Sequence, residues 1–110
     1  HIRGQRFEAT IQSPGTGTFE LGLKTQNGHA TAWIDLNRDG VFSEAERLIP
    51  ETPSTEERLR APVEMTAGER YPLRVDHVSG MPRPVVIVTL DVPGAERPKG
   101  ITGHLVPMDG

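Results

Sequence analysis

Cysteine is absent from the 110 residues, which excludes disulfide staples and thiolate chemistry. Aromatic rings are scarce, with three Phe, one Trp and one Tyr. A surface that binds by ring stacking therefore has little to draw on. No apolar run approaches the ~18 residues of a membrane span, so membrane insertion is not expected. Neither charge sign dominates: 12 basic residues face 15 acidic ones, for a net charge of -3. That balance provides no basic stripe for nucleic acid and no polybasic segment for an anionic membrane.

The signatures of catalysis are missing too. There is no G-x-S-x-G, phosphate loop or dinucleotide fingerprint, and the serines fall in turns. Glu56, Glu57 and Glu64 read as solvated faces rather than a positioned acid and base. The chain is therefore not expected to be an enzyme. His1 could chelate copper through its amine and ring, but no second histidine stands at a partner spacing. His29, His77 and His104 are isolated and read as surface or strand residues, not zinc ligands. The start, His1-Ile2-Arg3-Gly4, is no signal peptide. It reads as a mature chain or as one domain, spanning residues 1–110, cut from a larger exported protein.

What is abundant is punctuation. Gly (12) and Pro (10) are spread along the whole length, which favours many short strands over long helices. Alternation picks them out. Arg6 to Gln12 places Phe7, Ala9 and Ile11 on one face, and Thr18 to Lys24 does the same with Phe19, Leu21 and Leu23. Asn27-Gly28 supplies the positive φ of a hairpin turn. His29 to Asp35 follows, then a short strand Arg47-Leu48-Ile49 stopped by Pro50. Glu51 to Arg58 is expected as a mobile polar loop with room for one helical turn. Leu59 to Met65 and Arg70 to Val78 alternate again, the latter with Tyr71, Leu73 and Val75 on one face. Val85 to Leu90 is apolar on both faces, as a central strand is. A Pro/Gly-rich connection leads to an edge strand within Ile101 to Pro107. The simplest account is an all-β antiparallel sandwich of about seven to eight strands.

One segment carries chemistry. Calcium takes about six to eight oxygen ligands from a flexible turn. From Asp35 onward the chain meets the EF-hand template position by position. Asp35, Asn37 and Asp39 supply side-chain oxygens at its first, third and fifth positions, and Gly40 permits the sharp turn. Val41 offers its carbonyl, Ser43 holds a bridging water, and Glu46 closes the site with both oxygens. Phe42 is the apolar anchor. The flanks are strands rather than helices, so the expectation is an EF-hand-like calcium loop between strands. With so many donors, coordination is nearly saturated, which favours a structural ion. A metal-free acidic turn is the competing reading, since Asp, Asn and Gly are common in turns.

The order of several segments resembles the protective-antigen-type (PA-fourteen) domain. They are Gly15-Thr16-Gly17-Thr18-Phe19-Glu20-Leu21, Asn27-Gly28, Ala32-Trp33-Ile34-Asp35, and Ala67-Gly68-Glu69-Arg70-Tyr71-Pro72-Leu73-Arg74-Val75. The likeness runs from about Phe7 to Pro107, with Gly17 where that family has a tyrosine. Trp33 to Glu46 is also similar to the GEVED-type segment of bacterial surface proteins. Both resemblances imply an extracellular, non-catalytic module, and the first often binds carbohydrate. In its lectin members two adjacent aspartates hold the calcium that grips sugar. Here that turn reads Gln26-Asn27-Gly28, so the pair is absent.

The expected function is an accessory carbohydrate-binding or adhesion module at a cell surface, with calcium as cofactor. Asn27, Trp33 and Tyr71 are its candidate ligand-binding residues, and the partner is a glycan or a neighbouring domain of the same protein. The alternative is a structural or docking spacer, stabilised by calcium and binding no sugar.

Overall fold

The computed structural model describes residues 3–79 and 85–107. The histidine considered for copper, His1, and most of the Ser79 to Pro84 loop lie outside the described residues. Nine strands occur among the described residues: β1 (Arg3–Gln12), β2 (Gly17–Thr25), β3 (His29–Ile34), β4 (Arg47–Pro53), β5 (Leu59–Met65), β6 (Arg70–Ser79), β7 (Val86–Asp91), β8 (Lys99–Gly100) and β9 (His104–Pro107). They form two antiparallel sheets, one ordered β4-β3-β6-β1-β9 and the other β5-β2-β7-β8. This is the β-sandwich read from the sequence. The extra strand is the two-residue β8, which lies inside the Pro/Gly-rich connection.

Alternation decides the faces. Phe7 and Ile11 of β1, Ala30, Ala32 and Ile34 of β3, and Tyr71, Leu73 and Val75 of β6 point inward from the five-stranded sheet. They meet Phe19, Leu21 and Leu23 of β2, Ala61, Val63 and Met65 of β5, and Val88 and Leu90 of β7. Each large side chain taken fully out of water contributes about 1.5–3 kcal/mol. Val85 to Leu90 departs from the expected two-sided burial, since Ile87 is exposed. It lies on the outer face of its sheet, where no second layer covers it.

Two expectations about the fourth strand are corrected. The strand does not stop at Pro50, and Glu51 to Pro53 are strand, not loop. It continues because β4 is the outermost strand of its sheet, where proline's missing N–H forfeits no ladder bond. Its pairing with β3 slips between Ala30 and Ala32, and again between Ala32 and Trp33. The first slip falls opposite Pro50 and Glu51, between the paired residues Ile49 and Thr52.

The hairpin expected at Asn27-Gly28 is corrected: β2 and β3 belong to different sheets and do not pair, so this turn carries the chain from one sheet to the other. Asn27 has φ 63° and Gly28 φ 79°, both in the left-handed region that Asn and Gly tolerate. Gly28 is needed for a second reason: a Cβ there would lie 2.0 Å from the Val78 carbonyl oxygen. The turn is held from two sides. The Asn27 carbonyl accepts from His77 Nε2 at 2.5 Å and from the Ser54 hydroxyl at 2.9 Å. His77 is fully buried on the inward face of β6.

Candidate metal centre

The end of β3 delivers Asp35 to the rim of the sandwich. Its N–H donates to the Pro72 carbonyl at 2.9 Å, so the first residue of the loop is fixed to β6. Arg38 (φ 57°) and Gly40 (φ 84°) are both left-handed, which winds the chain back on itself. Asp35 organises this winding. One carboxylate oxygen accepts from Asp39 N–H at 3.2 Å and the other from Gly40 N–H at 2.8 Å. Asn37 Oδ1 also accepts from Asp39 N–H at 3.3 Å, and Asp39 Oδ1 from Val41 N–H at 2.9 Å.

The loop closes on Glu46, at the end of a 3₁₀ turn over Glu44–Glu46. Its Oε2 accepts from the N–H groups of Leu36 (2.5 Å) and Asn37 (3.3 Å). Its Oε1 accepts from the Ser43 N–H (3.1 Å) and hydroxyl (2.9 Å). The two ends of the loop are thus joined through one carboxylate. Burial pushes this carboxyl up, but the bonds from Ser43, Asn37 and Leu36 outweigh it and hold it below its ordinary range.

Three of the six expected ligands therefore converge. The carboxylate oxygens of Asp35, Asp39 and Glu46 lie within 4.8 Å of one another. Asp35 is 1% exposed and Glu46 5%. No Arg, Lys or His among the described residues forms an ion pair with any of the three. A cluster of oxygens without a cationic side chain suits a hard divalent cation in ligand type.

The other three expected ligands stand differently. Asn37 is exposed, with its side-chain oxygen beside the Asp39 N–H. Val41 forms the tip, 60% exposed. The Ser43 hydroxyl, expected to hold a water, donates instead to Glu46. With four donors on its two oxygens, Glu46 has spent the ~4 lone-pair directions a carboxylate offers. A bidentate bond to an ion would have to displace some of them.

The two rings expected to stack on sugar stand differently. Tyr71 is 5% exposed and its hydroxyl accepts from the Thr66 N–H at 2.8 Å. It presents no free ring, because β6 alternation turns it into the core. Trp33 is half-buried on the outer face, and the Arg74 guanidinium sits 4.5 Å from its ring centroid. The same guanidinium lies 4.7 Å from the ring of Phe42. Arg74 thus lies against both a strand residue and the eighth residue of the loop. Its role was missed in the sequence. The available signal was register: Arg74 stands directly opposite Trp33 across β3 and β6.

Asn27 stands at the rim of a groove of about 840 Å³, whose walls include Lys24, Gln26, Ser54, Thr55 and Ile87. This groove is distinct from the acidic loop and shares none of its residues.

The fold and the loop together define the class, an antiparallel β-sandwich with an acidic connection between β3 and β4. No protein-family model matches the chain, and no curated protein or solved structure matches it.

Proposed function

We propose that this chain is a non-catalytic module of an extracellular or cell-surface protein, stiffened by a calcium ion in the loop from Asp35 to Glu46. The observation that carries the reading is the convergence of Asp35, Asp39 and Glu46, two of them buried, with no described cationic side chain to balance them. Taking carboxylates out of water is costly unless hydrogen bonds and a counter-charge offset it. Backbone N–H groups supply the first, and a calcium ion would supply the second. Asp35 and Asp39 would hold it, with Glu46 and Asn37 completing the set. The ion's contribution is electrostatic and structural: it ties the exit of β3 to the entry of β4. The PA-fourteen and GEVED resemblances supply the extracellular setting.

Melting with and without calcium tests this directly. An ion that binds only the folded state at a hundredfold excess over Kd contributes ~2.7 kcal/mol. For a domain of this size that raises Tm by roughly 10 °C or more. EGTA should reverse the shift, and Asp35→Asn should abolish it. A Tm unmoved by millimolar calcium would remove the proposal.

The spacer or docking role is the reading we favour over sugar binding, because Tyr71 is enclosed and Trp33 is stacked on Arg74. A carbohydrate site keeps one supporting observation, the groove beside Asn27 with its hydroxyl and amide rim. Glycan-array screening with and without chelator separates the two. Glycan binding that Asn27→Ala weakens would favour the module as a lectin. A silent array beside a calcium-raised Tm would favour the spacer.

A further inference from the structure

The outer face of the five-stranded sheet holds a groove of about 450 Å³, inside the range of about 300–1,000 Å³ that small-molecule sites occupy. It is lined by Glu8 and Thr10 of β1, Pro72 of β6, Phe42 of the β3–β4 loop, and Thr102 and His104 where the chain runs from β8 into β9. That last segment crosses from one sheet to the other and presses against β1. Gly103 permits the approach, since a Cβ there would lie 2.4 Å from the Glu8 carbonyl oxygen and 2.6 Å from the Phe7 ring. Register sets three charged or polar side chains in a row, with Arg74 opposite Glu8 and Glu8 opposite His104. These groups are unspent. The side chains of Glu8, Thr10, Arg74, Thr102 and His104 make no hydrogen bond or ion pair among the described residues. Elsewhere on the outer faces such groups are taken: Arg6 by Asp76, Arg60 by Glu20 and Asp91, and Thr18 by Glu64. Hydroxyls of the groove beside Asn27 are taken too. Thr25 and Ser54 bond each other at 2.7 Å, and Thr55 donates to the Glu57 carbonyl at 2.7 Å.

We propose that this groove is a binding site for a neutral pyranose ring of a glycan. The inference rests on the module reading above and moves its carbohydrate alternative away from Asn27, Trp33 and Tyr71. A sugar ring offers hydroxyls that both donate and accept, and C–H faces that are apolar. The Glu8 carboxylate accepts from two hydroxyls at once, and the Arg74 guanidinium beside it donates. Thr10, Thr102 and His104 do either, and Phe42 and Pro72 supply the apolar contact. One carboxylate next to one guanidinium carries no net charge, which suits a neutral ligand better than an anion or a cation. An extended polypeptide finds less here. At Glu8, β1 is already paired with β6 on one side and β9 on the other, so the groove offers no free ladder for an added strand. None of its polar groups belongs to the cluster of Asp35, Asp39 and Glu46, so binding needs no metal.

The test follows amide chemical shifts of the isotopically labelled whole chain by NMR, in EGTA. The methyl glycosides of glucose, mannose, galactose and N-acetylglucosamine are added in turn. For at least one of them, shifts should gather at Glu8, Thr10, Thr102 and His104, with a Kd on the order of 1 mM for a ring of about a dozen non-hydrogen atoms. Glu8→Gln changes an exposed side chain without changing its size. It should weaken binding about tenfold, because a neutral acceptor replaces a charged one. Asn27→Ala should leave the affinity unchanged. Shifts confined to the groove beside Asn27, or equal affinity in wild type and Glu8→Gln, would overturn the site. So would silence from all four glycosides at ~50 mM, roughly fiftyfold above the expected Kd. Those outcomes leave the calcium reading standing, because the titration is made without the ion. A Tm unmoved by calcium, beside glycoside shifts at Glu8, would remove that reading and keep this site.

Discussion

Glu46 is the residue on which the loop's local order depends, since it accepts bonds from both arms at once. Its carboxyl is held below the ordinary glutamate value in the folded state. The sign of the linkage follows from that depression. The stability it contributes is complete above the unfolded-state value and is lost as pH falls through the folded-state value. Urea midpoints in EGTA, measured from pH 7 down through the carboxylate range, should fall with acid in the wild type. In Glu46→Gln the unfolding free energy at pH 7 should already be lower, by about 1–3 kcal/mol, because an amide nitrogen would face N–H donors. The acid slope of that variant should be shallower. Parallel slopes for the two proteins would assign the acid sensitivity to another carboxylate.

Much of the residue-scale pattern was legible because it follows period two. The inward set of β2, Phe19, Leu21 and Leu23, is the set alternation names. The three carboxylates that lie close together, Asp35, Asp39 and Glu46, stand at template positions of the loop. Period two also carried the information that Tyr71 points inward, since it alternates with Leu73 and Val75. That argued against its use as a stacking platform, and the hydroxyl's partner at Thr66 makes its burial affordable. The stacking of Arg74 was not legible. It depends on a loop residue folding across a strand that is distant in sequence.

At the scale of elements, the β2–β3 turn, which crosses between the two sheets, shows how a two-residue signal is enforced by its surroundings. Asn27 and Gly28 supply the turn, while His77 and Ser54 hold the Asn27 carbonyl from neighbouring segments. The Val78 carbonyl leaves no space for a side chain at position 28. Gly28→Ala should therefore cost more than the ~1 kcal/mol expected of a left-handed position alone. The corresponding measurement is a chemical-denaturation midpoint, compared with that of Gly68→Ala. Gly68 shares the positive φ but meets no atom within 4 Å. Equal losses in the two variants would show that the close approach to β6 is unimportant.

The β4 strand marks the limit of reading elements from punctuation. Pro50 is a strand breaker in the middle of a sheet and a harmless residue at its margin. Sequence alone does not say which strand is outermost. Its place emerges only once β3 has paired with β6 on one side and β4 on the other. The two-residue β8 escaped notice for a similar reason. A pair as short as Lys99-Gly100 carries no periodicity, and only its partner Thr89-Leu90 makes it a strand.

For the whole molecule, the sandwich was the most legible feature, because every long strand has one apolar face and needs another sheet to cover it. The order of strands within each sheet was not. Local pattern does not contain the pairing of β1 with both β6 and β9, which joins residues far apart along the chain. The site inherits this dependence. Asp35 is anchored to Pro72 and Arg38 to Glu69, so β6 and its preceding turn form the platform on which the loop rests.

The margins of the two sheets have a consequence for how such a module can be used. The outer strand β4 carries Pro50 and Pro53, the outer strand β5 carries Pro62, and β9 ends at Pro107. The remaining margin, β8, is two residues long. Proline at a rim denies an incoming strand one of the donors it would pair with, and a short rim offers too few. Many copies displayed side by side on one surface would thus stay separate molecules rather than merge into a shared sheet.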